Sequence, residues 1–204
     1  MVESDFYNEA VPMEFTRALL AQARAHQRDV QKILQAASFP FDPLTRNAQT
    51  VFVSREQYSR LALELIRELG DESGGVMPDV QTPVGTTRLI GYSMLNSANL
   101  SAALKRGIEF NACCRVRHGA DVINRFEVDE QRKEAVLAYH CDDDPAESQH
   151  SVLCNLAMWM RFCGWLIGQH IDITSAACAG PRPAFTAGVR HFFPCPVTFD
   201  QPLN

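Results

Sequence analysis

The run His140-Cys141-Asp142-Asp143-Asp144 holds the residue types that suit a metal ion. Zinc takes imidazole and thiolate, and hard cations take carboxylates, so the ingredients are present. Five consecutive residues leaving a strand cannot all converge on one ion, however, and no second cluster at ligand spacing supports them. The run reads as a solvated acidic loop. Ser148-x-His150 and the histidines His26, His118, His170 and His191 supply parts of a triad in number only, without the GxSxG elbow that would expose a nucleophile. Neither GxGxxG nor GxxxxGK[ST] occurs, so nucleotide fingerprints are absent. A single histidine, His170 or His140, could ligate haem, but each reads as structural. These residues keep two rival functions open: a small metal-dependent hydrolase using His140 and Asp142–Asp144, and a haem- or gas-sensing module.

A different chemistry is suggested by Trp159, Arg161, Phe162 and Trp165. On a helix Trp159 lies beside Phe162, three residues on, and Arg161 beside Trp165, four residues on. A guanidinium over an aromatic face is attracted to it, and can also meet an anionic head group in a fork. A second apolar segment, Leu89–Phe110, carries Tyr92, Arg106 and Phe110, with Arg88 immediately before it. An apolar wall with a few placed polar groups is the usual make-up of a small-molecule pocket. The candidate ligand-binding set is therefore Arg88, Tyr92, Arg106, Phe110, Trp159, Arg161, Phe162 and Trp165. It would lie between the two segments and hold an amphipathic or anionic small molecule. No catalytic residue, metal ligand or cofactor site is assigned, and the chain reads as a non-enzyme.

Helical patterning dominates the first half. Met13–His26 places Phe15, Leu19, Leu20 and Ala23 in a stripe, and Val30–Ala37 continues with Ile33 and Leu34. Ser54 predicts an N-cap for a helix over Arg55–Leu69, with Tyr58, Leu61, Leu65 and Leu69 inward and Gly70 as the stop. Asp71–Gly85 is polar and rich in Gly and Pro. It reads as a linker or long loop inside one domain spanning residues 1–204, since the helices before it need a surface to bury against. Thr82–Cys114 reads as two helices joined by a tight turn capped by Asn96-Ser97 or Asn99.

The pattern then changes. Asp121–Val128 and Glu134–Cys141 alternate in hydropathy around the charged turn DEQRK and predict an antiparallel hairpin. Ser151–Ile171 predicts a long, mostly apolar helix holding both tryptophans and packed across that sheet. Asp172–Ala177 and Pro196–Phe199 read as short extended runs, with an amphipathic turn or helix over Pro183–Phe193. The predicted class is α+β: a helical N-terminal half, then a small antiparallel or mixed sheet crossed by a long apolar helix.

Two blocks resemble a known family. In Thr82–Cys114 the order Pro83-x-Gly85-Thr86, an apolar run, then Leu100-x-x-Ala103-Leu104-x-Arg106-x-x-x-Phe110 is similar to the N-terminal sensing domain of AraC-type transcription regulators, in its arabinose-binding-domain branch rather than its cupin branch. In Arg161–Phe199 the resemblance rests on Trp165-Leu166-Ile167-Gly168, Pro181, Pro183, Arg190, Phe193 and Pro196-Val197-x-Phe199. A tyrosine common before that arginine is Val189 here, and an early Gly-Ile-Asp triplet has no match near Ala25–Asp29. The resemblance implies a small-molecule effector as partner, a homodimer, and DNA bound only through a helix-turn-helix domain beyond residue 204; the acidic N-terminus, which lacks a signal-peptide core, and the cysteine pattern give the expectation of a cytoplasmic location.

Composition agrees with these readings. The net charge is −5 and no Lys/Arg run exceeds two residues, which argues against this segment gripping nucleic acid itself. No apolar run reaches the roughly 18 residues of a membrane span. The seven cysteines are odd in number and form no CxxC, so all are expected to be reduced thiols. Adjacent Cys113-Cys114 would point in different directions on a helix and reads as no redox pair.

Overall fold

A computed structural model describes residues 10–45, 52–75, 81–114, 124–139, 145–182, 189 and 193–202. The chain falls into two compact units, Met1–Thr86 and Thr87–Asn204.

The first unit holds β1 (Ala10–Pro12), α1 (Met13–Ala25), α2 (Val30–Ala36), β2 (Phe52–Ser54) and α3 (Arg55–Leu69). Local signals set the helix ends. Asp29 accepts from the backbone N–H groups of Gln31 and Lys32 at 2.9 and 3.2 Å and starts α2. Ser54 and Gln57 form a reciprocal capping box at the start of α3, with bonds of 3.1 and 3.0 Å. Gly70, left-handed at φ 67°, ends α3 by donating to the Ile66 carbonyl. Leu20, Ala23, Val30, Ile33, Leu34, Leu61, Leu65 and Leu69 form an all-aliphatic core among these three helices.

The helical periodicity of this half did not reveal its strands. β1 and β2 pair antiparallel, Ala10 opposite Ser54, and each runs directly into a helix. This ladder ties the first turns of α1 and α3 together. Nor is the described part of Asp71–Gly85 a loose polar linker. It folds around the carboxylate of Asp71, which is buried and accepts from Ser73 N–H (2.9 Å), Ser73 Oγ (2.5 Å), Gly75 N–H (3.1 Å) and Thr82 N–H (2.7 Å). Four donors offset the cost of taking a carboxylate out of water.

The second unit contains α4 (Thr86–Leu95, beginning at the junction), α5 (Leu100–Cys114), β3 (Asn124–Asp129), β4 (Glu134–Tyr139), α6 (Pro145–Ile167), β5 (Ala176–Ala177) and β6 (Val197–Thr198). α4 and α5 are the two predicted helices, and Asn99 caps the second by accepting from Ala102 N–H at 2.9 Å. β3 and β4 are the predicted hairpin, in register from Asn124 opposite Tyr139 to Asp129 opposite Glu134. Its turn is held by Asp129, which accepts from Gln131 and Arg132 N–H at 3.0 Å each. The two short extended runs pair with each other: β5 and β6 lie parallel, Ala176 opposite Val197. The class is α+β, with six helices and three two-stranded ladders among the described residues.

α6 departs from the expectation of a long, mostly apolar helix over Ser151–Ile171. It is one-sided. Trp159 and Cys163 are buried toward α5 and the hairpin, while Met158, Trp165 and Ile167 remain exposed. It ends at Gly168, left-handed at φ 65°.

Candidate functional site

The apolar centre of the second unit joins Ile90 and Met94 of α4, Ala103 and Leu104 of α5, and Trp159 and Cys163 of α6. Leu100, Ile108, Phe110, Phe126, Leu137, Phe162 and Leu166 pack around it. One glycine lets two of these helices approach closely: a Cβ on Gly107 would lie 2.5 Å from the Met94 sulfur, whereas one on Gly91 would make ordinary contact, 3.7 Å from Phe162 Cζ.

The eight candidate residues therefore divide. Trp159 is 3 % exposed and forms part of this centre, with Phe110 and Phe162 half-buried against it. Tyr92 and Trp165 are each 61 % exposed. Arg88, Arg106 and Arg161 are also exposed, and Arg106 donates from Nη1 to the Ser93 carbonyl at 3.2 Å, bridging α5 to α4. The aromatic side chains of α6 form a continuous row from core to surface. Trp159 meets Phe162 edge-on at 6.4 Å, as the spacing predicts, and Phe162 stacks on Trp165 at 5.8 Å with rings 15° apart. That second contact, three residues apart on the helix, went unanticipated beside the Arg161–Trp165 pairing. Such offset aromatic contacts add about 0.5–1.5 kcal/mol beyond buried area.

Polar residues on the apolar faces give the least anticipated feature. Asn111 and Asn124 are 5 % and 2 % exposed. Asn111 Oδ1, both amide atoms of Asn124, and Asn155 Oδ1 are buried without a hydrogen-bond partner. Buried amides are nearly always paired, so each such group requires an explanation. The sequence held a signal for them: Asn111 falls on the stripe of Leu104 and Ile108, Asn124 on the face of Phe126, and Asn155 one turn before Trp159.

Burial works against activation of several thiols. Cys113, Cys114, Cys154, Cys163, Cys178 and Cys195 are unbridged. Burial pushes the Cys154 thiol up to about 12 and those of Cys163 and Cys178 to about 11, the opposite of what a nucleophile requires. His26 Nε2 meets the Gly75 carbonyl at 2.9 Å, and His170 lies at the surface 3.8 Å from Asp172. Among the described residues no three His, Cys, Asp or Glu side chains gather as a metal site. The His140–Asp144 run and Arg190 lie outside the described residues. No described helix is long and apolar enough to cross a membrane.

The model of a family described as the N-terminal arabinose-binding domain of AraC transcription regulators matches residues 28–204. The chain belongs to this family. No curated protein matches it. As an AraC-type arabinose-binding domain it is a regulatory, ligand-binding part of a transcription regulator. The match covers both blocks that carried the resemblance, and it includes α2, α3 and every described element of the second unit.

Proposed function

We propose that this chain is the effector-binding and dimerisation part of a cytoplasmic AraC-type regulator, coupling a small amphipathic or anionic molecule to DNA binding by a C-terminal domain, and that it catalyses no reaction. The family match over residues 28–204 carries the reading. The aromatic row on α6 supports it, because it offers a flat apolar surface that begins in the core and ends in solvent. Arg88, Arg106 and Arg161 stand exposed on α4, α5 and α6, where guanidiniums suit an anionic group at a site's rim. Tyr92, Phe110, Phe162 and Trp165 supply the body of the site, with Trp159 as its floor. The mechanism is a population shift. An effector that binds one arrangement of the domain better than another moves the equilibrium by that difference in affinity, and the DNA-binding domains follow. Two-fold pairing of the chain matches the paired half-sites that helix-turn-helix dimers read. The family label gives no ground for choosing arabinose over other small molecules.

Two experiments test this. The reading frame beyond Asn204 is expected to encode helix-turn-helix patterns, and the assignment fails without them. Trp165→Ala and Arg161→Ala are expected to abolish ligand-induced thermal stabilisation with the circular dichroism spectrum unchanged. Variants that keep the full ligand-dependent shift would place the site elsewhere, and an Arg161→Ala chain that is insoluble would make that arginine structural.

A further inference from the structure

The hairpin of β3 and β4 is better supported at one end than at the other. Phe126 and Leu137, opposite each other, pack against the apolar centre. Two residues nearer the turn, Val128 and Ala135 continue the same face and are both exposed, Val128 at 42 %. The apolar face thus runs on past the core that backs it. Its six ladder pairs follow one another without a bulge, and β3 contains no proline and no lysine. Bulges, prolines and lysines are usual devices for keeping a strand edge from pairing. Among the described residues β3 pairs with β4 alone, so its outer edge offers a row of backbone donors and acceptors.

The charges of β3 select what fits that edge. Arg125 and Glu127 flank Phe126, belong to the other face of the strand, and are exposed. Among the described residues neither forms an ion pair within the chain. Two copies of one strand lying antiparallel in a sheet are related by a two-fold axis through the sheet. The axis must pass beside a single residue, because side chains opposite each other share a face. Centred on Arg125, such a pair sets arginine against arginine; on Glu127, glutamate against glutamate; on Val128, Glu127 against the partner's Asp129. Centred on Phe126, it sets Arg125 against the partner's Glu127, and Glu127 against the partner's Arg125. Of these four registers this one alone has two opposite-charge pairs and no like-charge pair. Opposite charges across a ladder stabilise it, and like charges directly opposite destabilise it. β4 has no such match, since its single charge, Glu134, meets no opposite charge on the same strand.

Resting on the reading of this chain as a dimerising regulator domain, we propose that β3 pairs edge to edge with the β3 of a second copy, about a two-fold axis at Phe126, and joins the two hairpins in one four-stranded antiparallel sheet. The antiparallel direction lays the core-backed end of each hairpin beside the exposed end of the other, so Val128 comes to lie opposite the partner's Asn124. A lone two-stranded hairpin is marginal in water, whereas three or more strands with an apolar face hold together.

The test is the mass of the whole chain in solution, by sedimentation equilibrium over a micromolar concentration series at low salt. The parent is expected to reach twice 22.8 kDa. Arg125→Glu and Glu127→Arg each turn both ion pairs into like-charge pairs, and each is expected to raise the dimer Kd by at least about tenfold. Both side chains are exposed, so the circular dichroism spectrum is expected to stay unchanged. Mixed in equal amounts, the two variants face opposite charges at both positions again. A heterodimer is then expected at concentrations where neither variant dimerises alone, a rescue that no change within one chain can produce. The double variant Arg125→Glu with Glu127→Arg is expected to dimerise as the parent does. A parent that stays at 22.8 kDa throughout overturns the proposal. So does loss of the dimer in both variants that mixing fails to restore. A dimer whose Kd neither reversal changes forms through another face, which overturns this pairing and leaves the regulator assignment intact. Absence of helix-turn-helix patterns after Asn204 would instead sink the assignment and leave the pairing result standing.

Discussion

The two units treat buried polarity in opposite ways. In the first, a carboxylate sits inside the fold with four donors around it, in an aliphatic unit of capped helices. In the second, neutral amides sit inside an aromatic-rich cluster with acceptors unmet. Asp71 is the costlier group to bury and is fully supported, while Asn111 and Asn124 are cheaper and unsupported. Among the described residues, two buried threonine hydroxyls of the first unit, Thr16 and Thr82, have no partner, and a hydroxyl is the least demanding of these groups. The contrast follows charge: the ionised group is fully supported within the chain, and the neutral amides are not.

Both tryptophans belong to the second unit, so their fluorescence reports that unit, while far-UV circular dichroism reports both. The largest effect is expected from Asp71→Ala. Leaving Ser73, Gly75 and Thr82 N–H groups without their acceptor should cost about 3 kcal/mol, seen as a lower urea midpoint by circular dichroism. An equal fall in the tryptophan-detected midpoint would break the comparison, because the units would then unfold as one. Alkaline pH should act on the second unit instead. Cys154, Cys163 and Cys178 all lie there, with thiols pushed from 9.0 to about 11 or 12 by burial. Below pH 9.0 thiols are protonated in both states and stability is fully present. Between pH 9.0 and 11 the unfolded chain ionises first and binds fewer protons, so stability falls by up to about 1.4 kcal/mol per thiol per pH unit. A flat tryptophan-detected profile over that range would show that these thiols stay open to water. The smallest effect has the opposite sign. Asn124→Leu should raise the stability of the second unit by about 1 kcal/mol, since it removes an unmet amide without opening a cavity. A fall of that size would show the amide to be satisfied in solution.

What the sequence made legible follows the range of the forces involved. Ser54, Gln57 and Gly70 act within one turn of α3, and the helix begins and ends where they predict. The hairpin was readable because six residues of alternation face six others across a short turn. β1 and β2 were not, since three residues carry no period and their partner lies about forty positions away, where only the folded chain joins them. The same limit applies to the site. Contacts within α6, such as Trp159 with Phe162, followed from helical spacing. The burial of Trp159 beside an exposed Trp165 did not, since both are six residues apart on one apolar helix and only α4, α5 and the hairpin decide which is covered. Asn111 and Asn155 were visible as interruptions of apolar stripes, but an interruption by itself does not say whether the amide finds a partner.

The close approach of Gly107 to Met94 ties two positions together across related sequences. The volume available to both is one shared quantity, since a Cβ at 107 would lie 2.5 Å from the sulfur at 94, in a side chain only 1 % exposed. Among relatives that keep this crossing of α4 and α5, any that carries alanine or larger at 107 should carry a shorter residue than methionine at 94. Relatives with glycine at 107 remain free to vary at 94. A relative bulky at both would have helices set farther apart, and the aromatic row of α6 would then rest on a different floor.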